Sequence, residues 1–250
     1  MTNADTYHFA DFTRNNYRRL VKLAKEHYVN RTYDDYVDGE RFVIWRHDVD
    51  FSPQAAVKMA RIEAEEGIKA TYFLLLHSQF YNALERDVTD CFRTIIGLGH
   101  DIGLHFDSTY YSLVEEADIE KPLQLEKTII ETILACEVRT FCFHITTPFA
   151  VRCTQSSYAG LQNANSEFFR HRVGYCSDSN GYWRFRRLED VLREAGDLCL
   201  QVLTHPEMWQ DTIMSPRERV MRCISGRADM SRCWYDTILA ENGRKNIDWE

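Results

Sequence analysis

The chain has 250 residues, 44% of them apolar and 13% aromatic, with a formal net charge of −8. That length suits one sizeable core. The acidic balance leaves no electrostatic footprint for nucleic acid or for an anionic membrane surface.

The opening, "MTNADTYHFADF", has no basic stretch followed by an apolar one, so the expectation is a cytoplasmic chain without a signal peptide. No run approaches the roughly 18 apolar residues that a membrane span needs. The eight cysteines are scattered without a C-x-x-C pair, which reads as reduced thiols rather than a zinc ribbon or a disulfide scaffold.

A first amphipathic helix is predicted over Thr13–His27, with Tyr17, Leu20, Val21 and Ala24 on one face. "RFVIWRH" follows as a short apolar strand. Ser52-Pro53 reads as an N-cap and first helical residue, opening a helix that Gly67 stops. "IKATYFLLL" is a continuous apolar run, the pattern of a strand buried on both faces. A helix over Val88–Leu98 stops at Gly99, and "DIGLH" is short and strand-like. A helix over Pro122–Ala135 precedes the strand "RTFCFH". Residues 145–172 give no clear pattern. "RVGYCS" is a strand, "RLEDVLREAG" a short helix with a glycine stop, and "LCLQVLTH" a strong strand. Ser215-Pro216 with Glu218 forms a capping box for a helical tail, expected to break near Gly226.

Alternating strands and helices point to a parallel sheet with helices outside. The fold class is α/β, a distorted (β/α) barrel of six to eight parallel strands forming a single domain over 1–250. An open doubly wound sheet would carry a glycine-rich loop after its first strand, and "RHDVDFSP" has no glycine. Nearly every strand ends in a histidine or aspartate. The first ends at His47, Asp48 and Asp50. The next end at His77, at His105 with Asp107 close behind, at His144, at Asp178 and at His205. In a parallel barrel these ends open on one face, where barrel enzymes place their sites. Histidines and carboxylates converging there suit zinc or a similar cation, and proton transfer. A single strand-end Asp or His is usually a turn or a structural hydrogen bond; the joint pattern carries the functional reading. His100 precedes its strand and is read as structural.

These residues resemble the polysaccharide deacetylase (NodB-homology) superfamily over about residues 42–206, with the N-terminal helix and the C-terminal tail outside the resemblance. "FVIWRHDVD" is similar to its acid-bearing first strand, "EEGIKATYFLL" to its G-[VI]-K-A-T-[FY]-F signature, and "GLGHDIGLH" to G-H-E-I-G-x-H. "YCSDSNGYW" and "LQVLTHP" are similar to its later motifs. The resemblance implies a metal-dependent hydrolase that removes an N-acyl group from an amino sugar. In one register Asp48 is the general base and Asp50 a metal ligand. In the other Asp48 is the ligand and His47 takes the base position. His105 matches a metal ligand, His205 the general acid, and Asp178 a residue that orients base or acid. Leu203 would line the acyl pocket and Trp183 would stack on the sugar, with Arg46, His77 and His144 around the substrate.

Two departures stand out. Thr109 occupies the position of the second metal histidine, leaving Asp107 or His144 to replace it. "FHITTPFA" has His144 where an arginine is usual. The implied cofactor is a divalent metal, zinc first. The implied partner is a small-molecule amino sugar, nucleotide- or lipid-linked, on the way to a surface polysaccharide or lipopolysaccharide. The rival reading is an impaired barrel that binds sugar or regulates.

Overall fold

Phe42–Val49 is buried along its whole length, and the rest of the sheet is arranged around it. A computed structural model describes residues 2–247 of the expected 1–250 domain. Among them nine strands form one sheet: β1 (Val29–Arg31), β2 (Phe42–Val49), β3 (Thr71–Leu74), β4 (Asp101–Phe106), β5 (Thr140–Phe143), β6 (Ser157–Tyr158), β7 (Leu161–Asn163), β8 (Gly174–Ser177) and β9 (Cys199–Thr204). The order is β6-β7-β5-β4-β3-β2-β9-β8, with β1 beside the first half of β2. All pairings are parallel except β6 with β7. No pairing among the described residues joins β6 or β7 to β8. The sheet curls into a half-barrel with helices around it, as the distorted-barrel expectation requires.

The helices are α1 (Asn3–Thr6), α2 (Arg14–His27), α3 (Pro53–Glu65), α4 (Arg86–Gly97), α5 (Glu120–Leu134), α6 (Pro148–Arg152), α7 (Glu167–His171), α8 (Leu188–Glu194) and α9 (Pro216–Glu241). Ser52 caps α3 and the Ser215–Glu218 box caps α9. Two expectations need correction. Helix α9 runs unbroken through Gly226: one interior glycine costs about 1 kcal/mol, too little to break 26 capped residues. Helix α8 is stopped by Ala195 in the left-handed conformation, not by Gly196. The unassigned stretch 145–172 holds α6, the β6–β7 hairpin and α7. Among the described residues no helix is long and apolar enough to cross a membrane.

Alternation along β2 divides its side chains between two layers. Val43, Trp45 and Val49 face the helices in the larger core with Tyr17, Met59 and Trp209. Phe42 and Ile44 face the barrel interior, packed with Tyr33, Phe73, Cys142 and Phe169. Phe73 fills so much of this space that a Cβ on the paired Gly103 would lie 2.5 Å from its ring. The interior is therefore apolar toward the amino ends of the strands. On the same face of β2, one turn of the pleat further on, come Arg46 and then Asp48.

Candidate active site

Because side chains alternate, Arg46 and Asp48 share the interior face, and His47 points away. Arg46 grips Asp48 with two bonds of 2.8 Å, Nε to Oδ1 and Nη2 to Oδ2, both side chains being buried. Burial raises the Asp48 carboxyl, but the Arg46 and His105 charges outweigh it and hold the group well below the usual carboxylate range. His47 sits in the sheet–helix layer, fully buried. Its Nε2 lies 2.6 Å from Glu63 Oε1 on α3, and its Nδ1 2.6 Å from Thr204 Oγ1 on β9. It does not reach the opening.

His105, at the end of β4, is in register with Cys142 on β5. Its Nδ1 lies 3.0 Å from Cys142 Sγ, and its Nε2 lies 3.1 Å from Asp50 Oδ1 and 3.5 Å from Asp48 Oδ2. Burial pulls the imidazole down, and the Asp48, Cys142 and Asp50 groups raise it well above its ordinary value. His144 follows β5; its backbone N–H donates to the Phe106 carbonyl, which seats it beside the end of β4. The rings of His105 and His144 lie 5.1 Å apart, nearly perpendicular.

His205 follows β9 and leans on Asp178. Its Nδ1 is 2.7 Å from Asp178 Oδ1, its backbone N–H donates to the same carboxylate, and Trp209 Nε1 donates to Oδ2 at 2.9 Å. Its other ring nitrogen faces Asp50 Oδ2 at 3.8 Å. Burial lowers the imidazole, but Asp178, Asp50 and Glu207 push it up to about 10. Asp178 is fully buried. Glu207, two residues on, is also buried, and neither of its side-chain oxygens has a partner. Burial pushes its carboxyl up to about 8.

The remaining expected residues lie around this group. Asp107 accepts from the backbone N–H and hydroxyl of Thr109 at 2.9 and 2.5 Å, and its other oxygen is 3.7 Å from His144 Nδ1. Leu203 is paired with Arg46 across β9 and β2, on the interior face. His77 stacks on Tyr110 with ring centres 3.5 Å apart and lies 3.1 Å from Glu126. Trp183 packs elsewhere: its indole N–H donates to Asp11 at 2.8 Å and its ring stacks on Phe12. Cys142 and Glu207 were not singled out in the sequence. For Cys142 a signal existed: it stands two residues before His144, on the interior face of the same strand.

Whether a cation fits here can be tested on the donors themselves. Asp50 Oδ1, His105 Nε2 and His144 Nδ1 are each buried and make no aligned hydrogen bond; His105 Nε2 and Asp50 Oδ1 face each other as an ion pair at 3.1 Å. The same three residues offer ligand atoms all within 4.8 Å of one another. Orphaned buried polar atoms are costly and ask for a partner, and two imidazoles with a carboxylate are donors that suit zinc. The set fits a divalent cation. A second cluster, Asp48, His105 and Cys142, shares His105 and lies deeper.

No family model and no curated protein matches the sequence. Solved structures do resemble it in chain path. A CE4 family pseudoenzyme from Bacillus anthracis matches at 13% identity and a TM-score of 0.47, over 78% of this chain and 63% of that one. The chain thus spans less than two thirds of that protein. A family 4 acetyl xylan esterase from Clostridium thermocellum, in complex with a cobalt ion, matches at 14% identity and a TM-score of 0.40, over 74% and 84%. The chitin deacetylase of the fungus Colletotrichum lindemuthianum matches at 15% identity and a TM-score of 0.45, over 80% and 86%. In fold, this chain is similar to these carbohydrate esterases and deacetylases.

Proposed function

We propose that this chain is a divergent polysaccharide deacetylase, a metal-dependent hydrolase that cleaves the N-acyl amide of an amino sugar. The observation that carries the reading is the convergence of three buried ligand atoms without aligned hydrogen bonds, Asp50 Oδ1, His105 Nε2 and His144 Nδ1. Asp50, His105 and His144 would hold the metal, His144 taking the place left open by Thr109. A divalent cation held there would supply Lewis acidity to an acyl oxygen and acidify a water.

The chain's own residues do the rest. Asp48 is the proton acceptor. Arg46 fixes its position and keeps it ionised, at some cost in basicity. Asp178 holds His205 through Nδ1, leaving the Nε2 side toward Asp50 as the proton donor for the departing amine. With the Asp50 charge offset by a cation, the imidazolium would release its proton more readily. Leu203, beside Arg46, is placed to meet an acyl methyl. Zinc, a nucleotide- or lipid-linked sugar, and a role in surface polysaccharide synthesis inside the cell are the finer parts of this reading.

One observation favours a second reading, a barrel that binds sugar without turning it over: both Asp48 oxygens are already engaged by Arg46. Two measurements separate the readings. Metal analysis of purified wild type should find one zinc or similar ion per chain, lost in Asp50→Ala, His105→Ala and His144→Ala. Acetate release from N-acetylglucosamine oligomers should occur with wild type and fall by about 10²-fold or more in Asp48→Asn and His205→Gln. Bound metal with no acetate release would support the second reading. No metal at all would sink the first.

A further inference from the structure

One residue past Asp50, a cavity of roughly 290 Å³ opens between the start of α3, the loop after β3 and the middle of α9. In a chain of net charge −8, its wall carries four cationic side chains, Arg14, Lys58, Arg222 and Arg227. Arg14 is bound to Asp211 and to the Trp209 carbonyl, and Arg227 to Glu85. Among the described residues no acid lies within 4 Å of Lys58 or Arg222. Lys58 and Arg222 thus border one recess without a close ion pair, though after Arg14 both help to lower the Asp211 carboxyl. The lining also holds an aromatic pair, Phe51 and Phe80, with ring centres 3.9 Å apart.

Gly226 adds a second, independent observation. It sits inside α9, where glycine is the costlier choice, and it lines this cavity. A Cβ there would meet nothing within 4 Å, so close packing is not what calls for glycine. Gly226 is exposed, so a longer side chain there would stand at the rim of the cavity.

We propose that this pocket binds the diphosphate group of an amino sugar carried on a diphosphate, with Lys58 and Arg222 on the phosphate oxygens and the aromatic pair against the carrier. Guanidinium and ammonium groups together suit adjacent phosphates. The volume lies near the lower end of ligand pockets, which suits one end of a substrate whose sugar reaches toward Asp50. The role as substrate anchor rests on the deacetylase reading; the binding itself does not.

The test is calorimetric titration of the whole chain with UDP, farnesyl diphosphate and inorganic pyrophosphate, with N-acetylglucosamine as the uncharged control. At least one diphosphate should bind, weakening with salt. Stronger binding of UDP identifies a nucleotide carrier, stronger binding of farnesyl diphosphate a lipid carrier, and equal binding of all three the diphosphate alone. The Lys58→Ala/Arg222→Ala variant, changed only at exposed positions, should lose at least tenfold in affinity. Gly226→Leu, which favours the helix, should block binding while unfolding at the same or higher temperature. Binding that survives both variants, or no diphosphate binding by wild type, would overturn the proposal. Acetate release from uncharged oligomers reports on the deacetylase reading separately. Diphosphate binding without acetate release keeps the pocket and removes the reaction. Acetate release without diphosphate binding does the reverse.

Discussion

Replacing Asp178 with Asn tests the link between His205 and the carboxylate behind it. The carboxylate takes three donors: the His205 backbone N–H, His205 Nδ1 and Trp209 Nε1. An Asn keeps the shape but offers one acceptor oxygen and one amide that donates. If the oxygen stays with His205, the buried Trp209 indole N–H loses its acceptor, at about 1–3 kcal/mol. The negative charge is lost in either orientation. His205 should then titrate below about 8 rather than near 10. A folded-state imidazole held above its unfolded value of 6.5 adds stability that is full below that value and disappears as pH rises through about 10. Each pH unit of that difference is worth about 1.4 kcal/mol, so with the indole cost the variant should be less stable by about 4–6 kcal/mol near pH 6. The gap should narrow toward pH 10, leaving only the indole cost. Urea unfolding across that range with a chelator present, and a proton NMR titration of His205, read both quantities. A gap that is flat with pH, or a variant His205 that still titrates near 10, would refute the reasoning.

Gly103→Ala should cost about 1–3 kcal/mol, read from urea unfolding, because the new methyl meets the Phe73 ring inside the barrel. Glu126 is pushed up to about 8, first by burial and then by the Asp107 charge. A carboxyl raised in this way costs the fold stability as pH rises from about 4.5 to 8. Glu126→Gln should therefore gain on wild type by a few kcal/mol over that window, and thermal melts showing no pH-dependent gain would contradict it. Trp183→Phe should destabilise by about 1–2 kcal/mol through the freed Asp11 bond and leave sugar affinity unchanged. A large loss of sugar affinity with normal stability would instead restore its expected stacking role.

Sequence showed best what strand burial and alternation control. The apolar runs with polar ends marked β2, β4 and β9, and a spacing of two placed Asp48 and Asp50 on one side, while His47 stayed open as a base until the structure turned it toward Glu63. Arg46 obeys the same alternation, yet its bidentate hold on Asp48 is a matter of rotamers that no pattern encodes. The resemblance put Trp183 on the sugar, but its partner Asp11 is 172 residues away in sequence. The β6–β7 hairpin turns at Ala159-Gly160, both at positive φ, without the Asn-Gly or Asp-Gly signal that usually betrays such a turn.

The vacancy at Thr109 shows most clearly how the fold can compensate for a local change. Metal ligands four residues apart on one loop depend on that loop's conformation. Here Thr109 closes a turn onto Asp107 instead. On the proposed reading the end of β5 would supply the substitute, because parallel pairing sets it beside the end of β4. His105 lies opposite Cys142, and the His144 N–H is bonded to the Phe106 carbonyl. That bond does not involve the Thr109 side chain, so a donor at 144 should persist when the hydroxyl of Thr109 is removed. If this is how the cation is held, Thr109→Ala should leave metal content unchanged, while His144→Ala should lower affinity by 10-fold or more, on the scale of ligand-supporting losses. Metal loss in Thr109→Ala with retention in His144→Ala would return the third donor to the loop.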